Sequence, residues 1–158
     1  MLPKYVQWLR QFIGHDKIFL NGTAALIRND QGRVLLQRRS DNGLWGFPGG
    51  AQELGESAMD AICREVSEET GLNVTPRRLI GIYTSPLFDK VYPNGDQVQM
   101  SIAFFECAMV SGELQPQCDE VLELRWFDLD DLPPMQPCCA VKAQDARYFA
   151  SRGEAFFR

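Results

Sequence analysis

The segment from Gly49 to Leu72, GGAQELGESAMDAICREVSEETGL, restricts this chain more than any other. Ser57 followed three residues later by Asp60 has the capping-box spacing and marks a helix start. Gly71 suits the left-handed residue that ends one. No Gly or Pro stands between them, which predicts a helix of about thirteen residues. At about 100° per residue, Met59, Ile62, Cys63 and Val66 share one arc and should face a core. Glu65, Glu68 and Glu69 share the neighbouring arc, at i, i+3 and i+4. Asp60, Arg64 and Ser67 point elsewhere, towards solvent or a different partner. The three glutamates therefore crowd the rim between core and water.

Such a rim is unfavourable for a helix by itself. Like charges at i,i+4 repel, and negative charge in the last two turns opposes the helix dipole. No Lys or Arg follows at i+4 to relieve them. Each effect costs a few tenths to about 1 kcal/mol. A hard divalent cation relieves all of them together, because Mg²⁺ takes carboxylate oxygens and keeps positions for water and phosphate. The other reading is a solvated acidic face, the usual fate of such runs. The pentapeptide EVSEE alone leaves both open.

Its surroundings weigh on the choice. Gly50, Glu56, Arg64, Glu65, Val66, Glu68, Glu69, Gly71 and Leu72 stand in the pattern G-x5-E-x7-R-E-V-x-E-E-x-G-L. Ordinary residue frequencies produce that pattern by chance below roughly 10⁻⁸ per starting position. It resembles the signature of the Nudix hydrolase family (MutT-like), with every fixed position kept. GLWGFPGG before it and LRWFDLDDLP after it are similar to the family's flanking segments, so the resemblance covers most of residues 20 to 134. It implies an α/β fold, an α/β/α sandwich with a mixed β-sheet, here with an extra N-terminal helix. It also implies Mg²⁺-dependent hydrolysis, with Mn²⁺ as substitute, of the pyrophosphate bond in a nucleoside diphosphate linked to another group X. In that reading Glu65, Glu68 and Glu69 hold metal and carry the catalysis, together with the carbonyl of Gly49. Glu53 is a further ligand candidate. Glu56 and Arg64 form a structural pair, and Gly50 and Gly71 shape the ends of the segment. The general base lies either in the box or in a later loop. Glu120 is the first candidate outside the box and Asp119 the second, against the reading of both as solvated loop acids.

Bulk properties narrow the partners. A length of 158 residues with 45% hydrophobic residues suits one domain over 1–158 with a full core. The net charge of −5 argues against a nucleic-acid polymer or a membrane surface, which want a basic patch. A small anionic nucleotide derivative stays open, since local arginines and a metal ion override the global sign. The cysteines are Cys63, Cys107, Cys118, Cys138 and Cys139, with His15 the sole histidine and no CxxC. That pattern disfavours a zinc site or disulfide framework and fits reduced thiols in the cytoplasm. The adjacent Cys138 and Cys139 read as incidental. No apolar run reaches membrane-spanning length. Gln7, Arg10 and Gln11 interrupt the first residues, so no secretory leader is expected.

The remaining elements follow in chain order. Residues 3 to 13, PKYVQWLRQFI, predict an amphipathic helix within an N-terminal extension over 1–15. Its apolar face packs on the domain, or serves as a homodimer contact or a lid. Thr23 to Arg28 and Arg33 to Arg39 predict a hairpin across Asn-Asp-Gln-Gly. Arg38 and Arg39 end its second strand, where one meets a substrate phosphate or both are solvated. Trp45 to Gly50 reads as a short strand into a glycine turn. Leu79 to Thr84 and Gln97 to Val110 read as strands, with the loop SPLFDKVYPNGDQ between them. In that loop Phe88 and Tyr92 stack on a base, or else anchor the loop. Pro86 stands where some ADP-ribose-cleaving members of the family carry a proline. Glu123 to Phe127 is a last strand, and 138–152 a C-terminal helix. Phe156 and Phe157 are tucked in or form a subunit contact. The alternative to an enzyme is a Nudix-like nucleotide-binding sensor that does not hydrolyse; an isomerase or RNA-decapping relative comes third. The intact carboxylates count against the sensor.

Overall fold

Two large apolar cores, one on each face of a sheet, and a smaller cluster under the N-terminal helix decide where the helices lie. The computed structural model describes residues 3–92 and 94–158, so the first two residues of the extension and Pro93 of the loop lie outside the description. The helices are α1 (Lys4–Ile13), α2 (Ala58–Thr70) and α3 (Pro137–Arg152). The strands are β1 (Ile18–Ile27), β2 (Val34–Arg39), β3 (Trp45–Gly46), β4 (Leu72–Tyr83), β5 (Lys90–Val91), β6 (Gln97–Gly112), β7 (Val121–Phe127) and β8 (Phe156–Phe157). A mixed sheet runs β1-β6-β4-β8, with β5 attached to β6, and a second sheet runs β3-β2-β7. β1 lies parallel to β6 from Ile18 opposite Val98 to Ile27 opposite Cys107, and β4 lies antiparallel to β6.

Alternate residues of β1 serve opposite cores, as strand geometry demands. Ala25 and Ile27 pack with Ile62 and Val66 of α2. Ala24 and Leu26 pack with Cys139, Ala143, Ala146 and Phe149 of α3. The mixed sheet is thus covered by α2 on one face and α3 on the other, the α/β/α arrangement. Among the described residues no helix is long and apolar enough to cross a membrane.

The expected hairpin is corrected. β1 and β2 belong to different sheets; their side chains share both cores, and their backbones are linked by a bridge from Arg28, just past β1, to Val34. The backbone groups of β1 go to β6 on one edge and to residues 48–52 on the other, and those of β2 to β3 and β7. Both runs are apolar on consecutive residues, which marks strands covered on both faces, not a hairpin with one wet face. β4 starts at Leu72, well before the expected Leu79. Pro76 hid it: a proline cannot donate to a ladder, and the register shifts beside it. Of Trp45 to Gly50 only Trp45–Gly46 is strand. The rest lies along β1, with Ala25 N–H donating to the Pro48 carbonyl and Thr23 N–H to the Gly50 carbonyl, both at 2.8 Å.

α1 rests on the domain through Val6, which packs with Leu20 and Val98. Trp8 and Phe12 remain exposed. Arg10 donates to the carbonyls of Gly14, Asp16 and Gln97. At the other end Phe156 is buried and Phe157 is exposed. The buried Asp145 of α3 accepts from the Tyr83 hydroxyl at 3.1 Å and from both arms of Arg158, at 3.1 and 2.7 Å.

Candidate active site

α2 forms where its caps predict. Ser57 Oγ accepts from Asp60 N–H at 3.1 Å, Asp60 accepts in return from Ser57 N–H at 3.2 Å, and Gly71 ends the helix at φ 74°. Ile62 and Val66 face the core as expected, but Met59 is exposed on the first turn, ahead of the sheet. The glutamates do not share one rim. Glu68 is exposed, Glu65 is mostly covered and Glu69 is buried at 5% exposure.

Arg64 does not point away from these acids, as the helical wheel suggested. Its Nε and Nη2 grip Glu56 at 2.6 and 3.0 Å, and Nη2 also donates to the Ala51 carbonyl at 3.1 Å. Its Nη1 reaches Glu65 at 2.9 Å and Glu68 at 3.1 Å. The relief of the acidic run therefore comes from i−1 and i−4, not from i+4. The Arg64 bonds hold the Glu56 carboxyl below its ordinary acidity range, and the guanidinium is pushed up in turn by Glu56. Glu56 also accepts from Glu53 N–H at 2.9 Å, so the pair fixes the loop entering α2.

Two glycines stand close to these acids, and at Gly49 the backbone requires one. A Cβ on Gly50 would lie 2.5 Å from the Glu65 carboxyl carbon. At Gly49, with φ 141°, it would lie 2.2 Å from the Thr23 carbonyl oxygen. Gly49 can thus turn its N–H onto Glu69 Oε2 at 2.7 Å, while Gln37 Nε2 donates to Oε1 at 2.9 Å. Burial pushes the Glu69 carboxyl up to about 7 despite both donors, and burial raises Glu65 as well. Among the described residues Gln37 Oε1 is buried with no partner, so a proton on Glu69 would find an acceptor if that amide turned over.

Among the described residues no three acidic, histidine or cysteine side chains stand together as a ready metal site. Arg64 holds Glu65 and Glu68, and Gln37 with Gly49 holds Glu69. The donors still fit Mg²⁺ or Mn²⁺ in kind, being hard carboxylate and carbonyl oxygens. Glu65 and Glu69 also share a cavity wall with Gly49 and Gly50.

That cavity measures about 830 Å³, enough for a whole nucleotide derivative. Arg39 lies in its lining, and Arg38 points from the other face to Glu123 at 3.7 Å, as strand alternation requires. Arg39 forks onto Asp41 at 3.0 and 2.9 Å, and Lys90 reaches the same carboxylate at 3.4 Å. Glu120 lines the cavity too; Asp119 is exposed outside it. Phe88 is buried, with its ring 5.2 Å from that of Tyr83, so it mainly anchors its loop. Tyr92 lies in the lining with Lys90 over its ring at 4.5 Å. Pro86 opens a short 3-10 turn outside the cavity. Sequence reasoning missed Gln37, Asp41, Lys90 and Lys142. Of these only Gln37 carried a local signal, one amide within the apolar run VLLQ.

A helix presenting carboxylates to a nucleotide-sized cavity, braced by an arginine and a glycine turn, defines a class of enzyme. The family model described as NUDIX domain matches residues 19–146. An ADP-ribose pyrophosphatase of Methanocaldococcus jannaschii is 35% identical over 85% of this chain and 72% of its own length. A putative 8-oxo-dGTP diphosphatase of Bacillus subtilis is 31% identical over 73% of this chain and 71% of its own. The crystal structure of an ADP-ribose pyrophosphatase from Streptococcus suis superposes with a TM-score of 0.65 at 31% identity, covering 88% of this chain and 97% of that one. The chain belongs to the Nudix family and is a pyrophosphohydrolase.

Proposed function

We propose that this chain hydrolyses the pyrophosphate bond of a nucleoside diphosphate linked to a further group X, with Mg²⁺, or Mn²⁺ in its place, held by Glu65, Glu68, Glu69 and the Gly49 carbonyl. The observation that carries the reading is the placement of Glu69: a buried carboxylate aimed by Gly49 and Gln37 into the wall of a nucleotide-sized cavity. A bound divalent ion would supply charge for the diphosphate oxygens and acidity for a water. Glu120, elsewhere in the cavity lining, takes the proton of the attacking water. Arg39 and Lys90 leave Asp41 for a substrate phosphate, Arg39 through its fork. Tyr92 offers its ring to the base or sugar. The names of the relatives support ADP-ribose or an oxidised nucleoside triphosphate as substrate, and nucleotide sugars fit the same description. The five free cysteines support a reducing compartment, the cytoplasm.

The test is a hydrolysis screen with Mg²⁺ and with Mn²⁺ over ADP-ribose, nucleotide sugars, dinucleoside polyphosphates and oxidised nucleoside triphosphates, with Glu69→Gln as the blank. Turnover of one compound well above the rest, lost in the blank, is the expected result. Binding of a nucleotide without turnover of any would move the chain to the sensor class.

A further inference from the structure

Among the described residues none of α1 lines the cavity, yet the helix backs part of its wall. Val6 shares a small buried cluster with Leu20 and Val98. Ala51, Tyr92 and Met100 pack against that cluster, and all three line the cavity. Val6 is buried, whereas Trp8 and Phe12 remain exposed. Apolar burial is therefore a small part of what seats α1. Polar contacts supply the rest, and they converge on the turn between β5 and β6. Arg10 Nη2 donates to the Gln97 carbonyl at 2.9 Å, and its Nε lies 3.4 Å from the Asp96 carboxylate. His15, just past the helix, brings its Nδ1 to 2.8 Å from the same Asp96 oxygen. A carboxylate only accepts, so that nitrogen carries the proton. The other Asp96 oxygen accepts from Asn94 Nδ2 at 3.0 Å. Asp96 is 4% exposed, and a buried carboxylate needs such partners.

The same turn carries Tyr92. Its N–H donates to the Asp96 carbonyl, and Gly95 N–H donates to the Tyr92 carbonyl, both at 2.9 Å. β5 is two residues long and offers the turn little ladder of its own. The place of Tyr92 therefore follows that of Asp96. A second tie lies beside it: Lys17, beyond α1, pairs with Asp89, which also lines the cavity. We infer that Arg10 and His15 are positioning residues for the substrate cavity: by latching Asp96 they fix the turn that sets Tyr92 in the cavity wall. The N-terminal extension then shapes the site from behind. The consequence for hydrolysis rests on the proposed contact of Tyr92 with a base or sugar; the latch itself does not.

The full chain is compared with Arg10→Ala, Arg10→Lys, Tyr92→Ala and the double variant Arg10→Ala, Tyr92→Ala. In hydrogen exchange read by mass spectrometry, peptides covering 89–98 are expected to exchange about tenfold faster in Arg10→Ala, with β4 as in wild type. In steady-state hydrolysis of the best substrate of the panel, Arg10→Ala should raise KM about fivefold and hold kcat within about twofold. Arg10→Lys keeps a cation beside Asp96 and should recover part of that KM. Because Arg10 acts through Tyr92, adding Arg10→Ala to Tyr92→Ala should change KM no further. His15→Ala removes a largely exposed ring and carries the same readings, with smaller shifts, if Arg10→Ala does not fold. Unchanged exchange over 89–98 overturns the latch. Faster exchange with wild-type KM, or a full further rise of KM in the double variant, overturns the positioning role. A wild type that hydrolyses nothing in the panel would count against the proposed function, and Tyr92→Ala with wild-type KM against the Tyr92 contact; the exchange over 89–98 would still decide the latch.

Discussion

α2 and α3 cover opposite faces of one sheet and meet the same cavity, yet they hold polar groups by different means. In α2 the acids are balanced by neighbours in sequence: Arg64 serves Glu56, Glu65 and Glu68, and Ser57 and Asp60 close the first turn. In α3 the buried polar groups depend on distant parts of the chain. Asp145 needs Tyr83 and Arg158, and the Lys142 ammonium lies by the Phe104 ring of β6. Local balance leaves a trace in spacing; remote balance does not. Glu69 is the exception within α2, because its partners come from Gln37 and Gly49.

The largest expected effect tests the α2 side. Glu68→Gln and Glu69→Gln should each lower kcat about a hundredfold or more in steady-state hydrolysis, with an unchanged circular-dichroism spectrum. Full activity in both would remove the metal-ligand assignment.

Glu69 then separates function from stability. Its folded acidity range lies above the unfolded one, up to about 7, so between those values the folded chain binds more protons than the unfolded chain. Stability contributed this way is complete below the unfolded value and is lost as pH rises through about 7. In chelator, the melting temperature of the wild type should fall from pH 5 to pH 8, the loss being at most about 3 kcal/mol. Glu69→Gln should flatten that slope and melt higher than wild type at pH 8, its amide facing a turned-over Gln37. A parallel slope in the variant would show that another group sets it.

On the α3 side, Asp145→Ala strips a buried hydroxyl and an arginine of their acceptor. Thermal melts should show a loss of about 2 kcal/mol, while KM stays close to wild type. A melt equal to wild type would mean that the remote partners are dispensable. The smallest effect distinguishes two neighbours: Arg39→Ala should raise KM about tenfold, and Arg38→Ala, outside the cavity, should leave it unchanged. Equal responses would break the assignment of Arg39 to the substrate phosphate.

The same division explains what the sequence disclosed. α2 and both its caps were legible because each depends on residues a few positions apart, whereas the Glu56–Arg64 pair came only from the family resemblance and the helical wheel pointed Arg64 elsewhere. The sandwich followed from the family resemblance of that segment. Strand partners were not legible: β1 and β2 read as a hairpin because their separation in sequence is short, although each strand satisfies its backbone elsewhere. Nor was the burial of Glu69, which depends on a glutamine 32 residues away on another sheet. Cys138 and Cys139 read as incidental because the cavity that they line cannot be seen from their adjacency.

The bond from Gln37 to Glu69 also joins the second sheet to the helix that packs on the first. Whatever binds at Glu69 competes for that joint. Occupancy of the site should therefore be felt mechanically in β2, where slow amide exchange would speed up if Glu69 is drawn away from Gln37. β4, fastened on both sides by β6 and β8, would exchange as before. A chain that reports its ligand through the docking of one sheet carries a built-in gauge of loading, readable without any turnover.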